Sequence, residues 1–362
     1  MSTLNVTQIK NPDAASPALT LNTDGSVDIA ISALSGGPLA GFRNAIINGD
    51  FDTWQRGASN STHLGYSADR WGNNFVGSSG TSAQQPFTLG QTDVPGEPTF
   101  FMSTTVSSVT GPDNRVNLFQ RIESVRTFAG QEVTLSFWAK ANAARNISVE
   151  FLQSFGANGT PSAVVRGIGV TKVAIGTSWQ RVTVTTTIPS IAGKTTGTDD
   201  DGYLLLTIWF DAGTNYGAYT DSLGHQSGVF DIAQVQLEPG PVATVFERRP
   251  LGIELALCQR YFIGYPTGTT AAVLNELLGI GSSYPVQSGV SATRYKLSNV
   301  TWPTTMRANP VVTWSPTEVY SNCTDFAVAA SKFGCRSSAI SVSTGPMYVT
   351  LATGSISIDA EL

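Results

Sequence analysis

The chain has 362 residues, of which 13% are charged, 41% hydrophobic and 9% aromatic, with a formal net charge of -5. Soluble domains average about 25% charged residues, so here neutral Ser, Thr, Asn, Gln and Gly must cover most of the surface. The balance excludes wholesale disorder, which goes with high charge and few aromatics. It also excludes a coiled coil and the positive field that nucleic acid needs.

No membrane insertion is expected, because the longest strongly apolar run, Tyr203 to Phe210, is far shorter than the ~20 residues of a spanning helix. Met1 to Asn5 has no basic stretch leading into an apolar one, so no secretory leader is read and assembly in a cytoplasm is expected. Three cysteines, Cys258, Cys323 and Cys335, are too few and too irregular for a disulfide framework or a zinc site. A Cys323–Cys335 bridge stays open at this point.

The pattern predicts three parts. Residues 1–39 read as short strands: Leu4 to Ile9, Ala18 to Leu21, and Val27 to Ile31 after an Asp24-Gly25 turn. This piece has no aromatic residue and cannot bury a core alone. It needs copies of itself or a larger assembly. Ser35 to Pro38 reads as a linker.

Residues 40–250 carry β-branched and aromatic runs separated by Gly, Pro, Asn and Ser. The clearest are Val133 to Ala139, Ile147 to Leu152, Arg181 to Thr186, Tyr203 to Phe210 and Val229 to Leu237. That predicts an antiparallel jelly-roll β-sandwich. Trp138, Trp179 and Trp209 fall within strand patterns and read as core. Residues 251–362 begin with one helix, Leu251 to Arg260. They continue as strands at Tyr261 to Tyr265, Arg294 to Leu297, Val311 to Trp314, Ala339 to Val342, Tyr348 to Leu351 and Ser355 to Asp359. The expected fold class is therefore all-β: an N-terminal strand segment, a jelly-roll sandwich and a smaller C-terminal β domain.

Eight strings then become informative in order: Asn44 to Phe51 with Trp54 to Gly57, Tyr66 to Trp71, Phe119 to Glu123, Leu135 to Lys140, Trp179 to Arg181, Phe230 to Glu238, Phe246 to Pro250, and Glu254 to Tyr261. This set resembles tail-fibre and adhesin-like virion proteins of bacteriophages, of the marine and cyanobacterial type, whose central part looks like a carbohydrate-binding-module jelly roll. The opening Met1 to Val6 and Leu21 to Val27 are similar to the virion-attachment ends of such fibres. The resemblance implies a homotrimer, attachment to other virion tail proteins through residues 1–39, a place on the virion tail, and non-covalent adhesion to host surface polysaccharide. A neck, collar or capsid fibre with a purely structural role is the alternative it leaves open.

In related jelly rolls, carboxylates of the first and last strands hold a structural calcium ion, which takes six to eight oxygen ligands. The resemblance points to Asp50, Asp52 and Asp231 for that role; the alternative is that Asp50 caps a turn and Asp231 pairs with an arginine. For glycan contact the loop Gly213 to Asp221 is singled out, with Tyr216, Tyr219 and Asp221, because its Tyr residues lack an apolar alternation. A plain solvated loop is the competing reading. Trp314, Tyr320 and Asn322 are loop-adjacent candidates in the last part. Arg121 reads as a structural ion-pair residue, and Asp199 to Gly202 as a solvated turn.

No enzyme is expected. His63 and His225 lie far apart in Gly/Ser-rich loops, and no nucleophile-elbow string occurs. A surface so poor in charge suits neutral sugars, met through hydrogen bonds and aromatic faces.

Overall fold

A computed structural model describes the backbone of residues 42–269, 294–314, 318–321, 323–341, 348–351 and 354–361, and short strands within 8–38; side chains are described for 42–264, 300–313, 327–337 and 355–361. In the first part, Gln8–Ile9, Leu19–Leu21 and Val27–Ile29 form an antiparallel sheet in which Leu19 faces Ile29 and Leu21 faces Val27. The expected strand pairing is present there, while the Asp24-Gly25 turn lies outside the described residues. Gly37–Pro38, read as linker, pairs with Ala33–Leu34.

From residue 42 the strands are β1 Ser59–Asn60, β2 Gly72–Val76, β3 Ser79–Pro86, β4 Phe100–Ser107, β5 Arg115–Glu123 and β6 Glu132–Ala141. They continue with β7 Arg145–Ser154, β8 Val165–Ile175, β9 Gln180–Thr187, β10 Tyr203–Ala212 and β11 Gly228–Pro239. Two antiparallel sheets result, one in the order β8-β7-β10-β5-β2 and the other β9-β6-β11-β4-β3-β1. The chain crosses between the sheets at most steps, which is the jelly-roll habit.

Period-two alternation decides which residues fill the space between the sheets. Leu204, Leu206, Ile208 and Phe210 of β10 point inward with Val116, Leu118 and Ile122 of β5. They meet Val133, Leu135 and Phe137 of β6 and Phe230, Ile232, Val235 and Leu237 of β11. Phe210 stacks on Phe230 across the sandwich at 4.9 Å between centroids. A core of this kind is what the 41% apolar share supplies.

The segment 44–53 runs beside β11: Ala45 N–H donates to Leu237 C=O at 2.9 Å and Val235 N–H to Gly49 C=O at 2.8 Å. Helix α2, Leu251–Gln259, follows the sandwich, with a single turn α1, Gly217–Thr220, earlier in the chain. The last part holds β12 Phe262–Thr269, β13 Arg294–Thr301, β14 Val311–Trp314, β15 Glu318–Ser321, β16 Cys323–Ser331, β17 Gly334–Ser341, β18 Tyr348–Leu351 and β19 Gly354–Asp359. They form three small antiparallel sheets, β12-β19-β14, β13-β17-β16 and β15-β18. Among the described residues the protein is all-β apart from these helices and a 3-10 turn at Thr214–Tyr216.

Candidate functional site

Alternation also decides what the five-stranded sheet shows on its other face. Across that face Asn117 of β5 lies opposite Trp209 of β10 and Asn74 of β2, and Phe119 lies opposite Thr207 and Gly72. Arg121 lies opposite Leu205, which in turn faces Leu152 of β7. With Leu64, Arg115, Arg166, Tyr203 and Tyr216 these residues line a groove of about 210 Å³. Gly72 is needed there: a Cβ would stand 2.3 Å from the Phe119 ring, which packs over the bare backbone.

The loop Gly213 to Asp221 closes one end. Gly213 lets the chain approach the 111–115 turn, since a Cβ would meet the carbonyls of Gly111 and Pro112 at 2.2 and 2.4 Å. Gly213 N–H donates to Asn114 C=O, Asn215 N–H to Pro112 C=O, and the Asn215 amide to Asp113. Tyr216 is thereby laid over Trp209, ring centroids 5.3 Å apart, and its hydroxyl accepts from Arg115 Nη1. The Arg115 guanidinium also sits 4.9 Å from the Tyr216 ring centroid.

Among the described residues, Trp209 Nε1 and Asn74 Oδ1 in this groove meet no hydrogen-bond partner. Trp209 is only 2% exposed, yet its indole N–H meets no acceptor, and Asn74 Oδ1 accepts from no donor. Leaving a buried polar group unpaired costs about 1–3 kcal/mol. One is a donor and the other an acceptor, which is what a hydroxyl-bearing ligand supplies and receives.

Of the loop residues singled out from sequence, Tyr216 lines the groove. Tyr219 instead lies beneath the Arg166 guanidinium at 4.1 Å, and Asp221 is an exposed residue at φ 49°, 3.8 Å from Lys172. Trp314 ends β14 opposite Ile356, and Tyr320 lies in β15 opposite Val349, so both belong to strands rather than loops. Asn322 lies outside the described residues. Trp138 and Trp179 are half-buried on the outer face of the six-stranded sheet, not core; Trp179 packs with Phe87 and Phe101. Trp209 is buried, but on the groove side. Arg121 stands over the Phe119 and Tyr203 rings at 5.4 and 5.2 Å.

The three aspartates do not meet. Asp50 is bound by Arg248, whose Nη2 lies 2.6 Å from Oδ2, and burial, opposed by Arg248, pushes its carboxyl up to about 6. Asp52 beside it is raised as well, first by burial. Asp231 lies four residues along β11 from Val235, the partner of Gly49, which is about 13 Å. It pairs with Lys140 at 3.6 Å. Among the described residues no three His, Cys, Asp or Glu side chains gather in a way that would hold a metal ion. These residues therefore do not fit one calcium ion, and Arg248 supplies the positive charge beside Asp50.

His225 does join a Ser and an Asp, which the strings did not suggest. Its Nδ1 lies 3.0 Å from Asp211 and 3.4 Å from Ser108 Oγ, while Nε2 faces the Gly111 backbone. A nucleophile must sit on the nitrogen opposite the carboxylate. Here the serine shares the carboxylate's side, so the cluster is a structural clasp. Asp201 accepts from Ala157 N–H at 2.8 Å, which ties the 199–202 turn to the loop after β7.

No family model matches the chain, and no curated protein matches it. Solved structures do. A CBM4 structure is 18% identical, covering 53% of this chain and 97% of that one, with a TM-score of 0.29. A family 11 carbohydrate-binding module from Clostridium thermocellum is 12% identical, covering 52% and 98%, with a TM-score of 0.30. The enzymatically active domain of bacteriophage CBA120 tailspike protein 4 is 14% identical, covering 56% of this chain and 22% of that one, with a TM-score of 0.30.

Proposed function

We propose that this chain is a non-catalytic glycan-binding protein that holds saccharide in the groove of the five-stranded sheet. The observation that carries this reading is the unpaired Trp209 N–H and Asn74 Oδ1, set among Phe119, Tyr203 and Tyr216. Sugar rings offer hydroxyls to such groups and C–H faces to such rings. The groove lining contains no Asp or Glu, whereas hydrolysis of a glycosidic bond generally uses two carboxylates.

The ordered strings that resemble phage fibres support the finer reading: a tail-fibre receptor-binding protein, homotrimeric, joined to other virion tail proteins through residues 1–39 and adhering to host surface polysaccharide. Several weak grooves on one particle would act together. Titration calorimetry of the full chain against host envelope polysaccharide tests the binding. Saturable heat is expected, with affinity falling about tenfold in Tyr216→Ala and in Asn74→Ala. A folded chain that binds no polysaccharide would sink the reading. Cryo-electron microscopy of the particle tests the placement, which a collar or capsid position would overturn.

A further inference from the structure

We propose that the groove selects acidic saccharides, sugars bearing a carboxylate or a sulfate, over neutral ones; this rests on the reading that the groove binds glycan. Three arginines, Arg115, Arg121 and Arg166, line it, and no acidic residue does. Arg166 is balanced by buried Glu150, so the charge offered to a ligand there centres on Arg115.

Several carboxylates around this face are engaged, and Asp113, on the turn beside Arg115, accepts from the Asn215 amide at 2.7 Å. Glu150 is bound by Arg166 through Nε and Nη2, both at 3.2 Å, and by Gly167 N–H at 3.1 Å. Glu123 is held by Arg260 at 2.7 Å and by the Tyr261 hydroxyl at 2.6 Å. Asp211 is enclosed by Ser78, Ser108, His225 and Gln226. Asp221 lies beside Lys172.

Arg115 differs. Among the described residues it forms no ion pair, and its Nη1 is fixed by the Tyr216 hydroxyl and Asp113 C=O. One edge of the guanidinium is thus anchored, and the fork is pre-positioned for a planar oxyanion. A neutral sugar would leave this charge without a counterpart, and low-dielectric walls strengthen its pull on an anion. Low overall charge therefore does not imply a neutral ligand: Arg115 stands where the sugar lies.

The test titrates the full chain with oligogalacturonate, a sulfated galactan oligosaccharide and a neutral galacto-oligosaccharide of equal length, at 50 mM and 300 mM salt (about 14 Å and 6 Å screening lengths). At least one acidic ligand should bind about tenfold more tightly than the neutral one, with the advantage shrinking at high salt. Whichever acidic arm binds identifies the anion. Arg115→Gln should remove the preference and its salt dependence, and Arg115→Lys should keep the salt dependence but lose part of the affinity. Equal binding of acidic and neutral ligands overturns acid selection while glycan binding stands. No binding of any of the three, with fold intact, overturns both.

Discussion

At the residue scale, the strings around Asn44 and Asn48 build joints rather than the groove. Asn48 donates to the Thr53 and Asp69 carbonyls, accepts from Thr53 N–H, and its own carbonyl takes the Trp71 indole N–H. Asn44 accepts from Ile46 and Leu237 N–H and donates to Val235 C=O. Buried amides with their bonds filled fix one backbone path, which is why such strings are recognisable. Of the groove residues, only Phe119 and Arg121 fall within one of these strings; the others occupy alternate positions on separate strands or lie in loops, so no string gathers them. Gly72 marks the boundary between the two sets. Gly72→Ala should push the Phe119 ring toward the groove and cost about 1–3 kcal/mol in urea unfolding. An unchanged midpoint would show that the ring yields freely. Cys335 has its thiol pushed up to about 11 by burial, and burial also raises Cys258. Cys323 faces Ser341 while Cys335 faces Ala330, seven residues along the same hairpin, and Cys335 is a free thiol. A Cys323–Cys335 bridge is therefore out of reach.

At the scale of elements, the segment 44–53 is clamped between β11 and the stretch 246–254. Arg249 Nη1 reaches Ile46 C=O and Glu254, and Glu247 accepts from Phe42 and Asn44 N–H. Asp50 is the titrating member of this joint. Its folded value of about 6 lies above the ordinary carboxylate value of 3.8, so the folded state holds the proton more tightly. Its stabilising contribution is complete below about pH 4 and is lost as pH rises through about 6. A contribution on the order of 3 kcal/mol should fade across that window. Asp52 acts in the same sense. Glu123 acts in the opposite one: burial works against its charge, but bonds from Arg260 and Tyr261 prevail and hold it below its ordinary value. Urea unfolding between pH 4 and 7 should show a shallower fall for Asp50→Asn than for the parent chain. Identical slopes would remove Asp50 from this role.

At the scale of the whole molecule, arginines tie the sandwich to the last strand. Arg56 lies 3.4 Å from Asp359 and 3.2 Å from Glu361, and within the last part Arg307 Nε donates to Ala360 C=O at 3.1 Å. Arg70, 1% exposed, bonds Glu361 and the Arg121 carbonyl while stacking on the Tyr261 ring at 3.5 Å. Breaking a buried pair from one side leaves an uncompensated charge, at about 3–5 kcal/mol. Arg70→Ala should therefore lower stability by that order in denaturant unfolding. A double-mutant cycle with Glu361→Gln should return a coupling of about 1–3 kcal/mol. Additive effects would mean that the pair contributes nothing beyond its separate parts.

The sequence by itself determined the all-β class, the sandwich strands β6, β7, β9, β10 and β11 and the helix at 251–259, because period-two alternation and turn residues are local signals. It also singled out Tyr216, through a loop whose aromatics have no apolar context. It did not name β1 to β5, nor β8, whose burial pattern is irregular beside two register shifts against β7. It placed Trp138 and Trp179 inside, since alternation states which residues share a face but not which face is covered. Only the tertiary structure brought Asn74, Arg115, Phe119, Trp209 and Tyr216 together, through strand order and register across β2, β5 and β10. The same register separated Asp231 from Asp50. Low charge was legible from composition; the placing of three arginines around one groove was decided by folding.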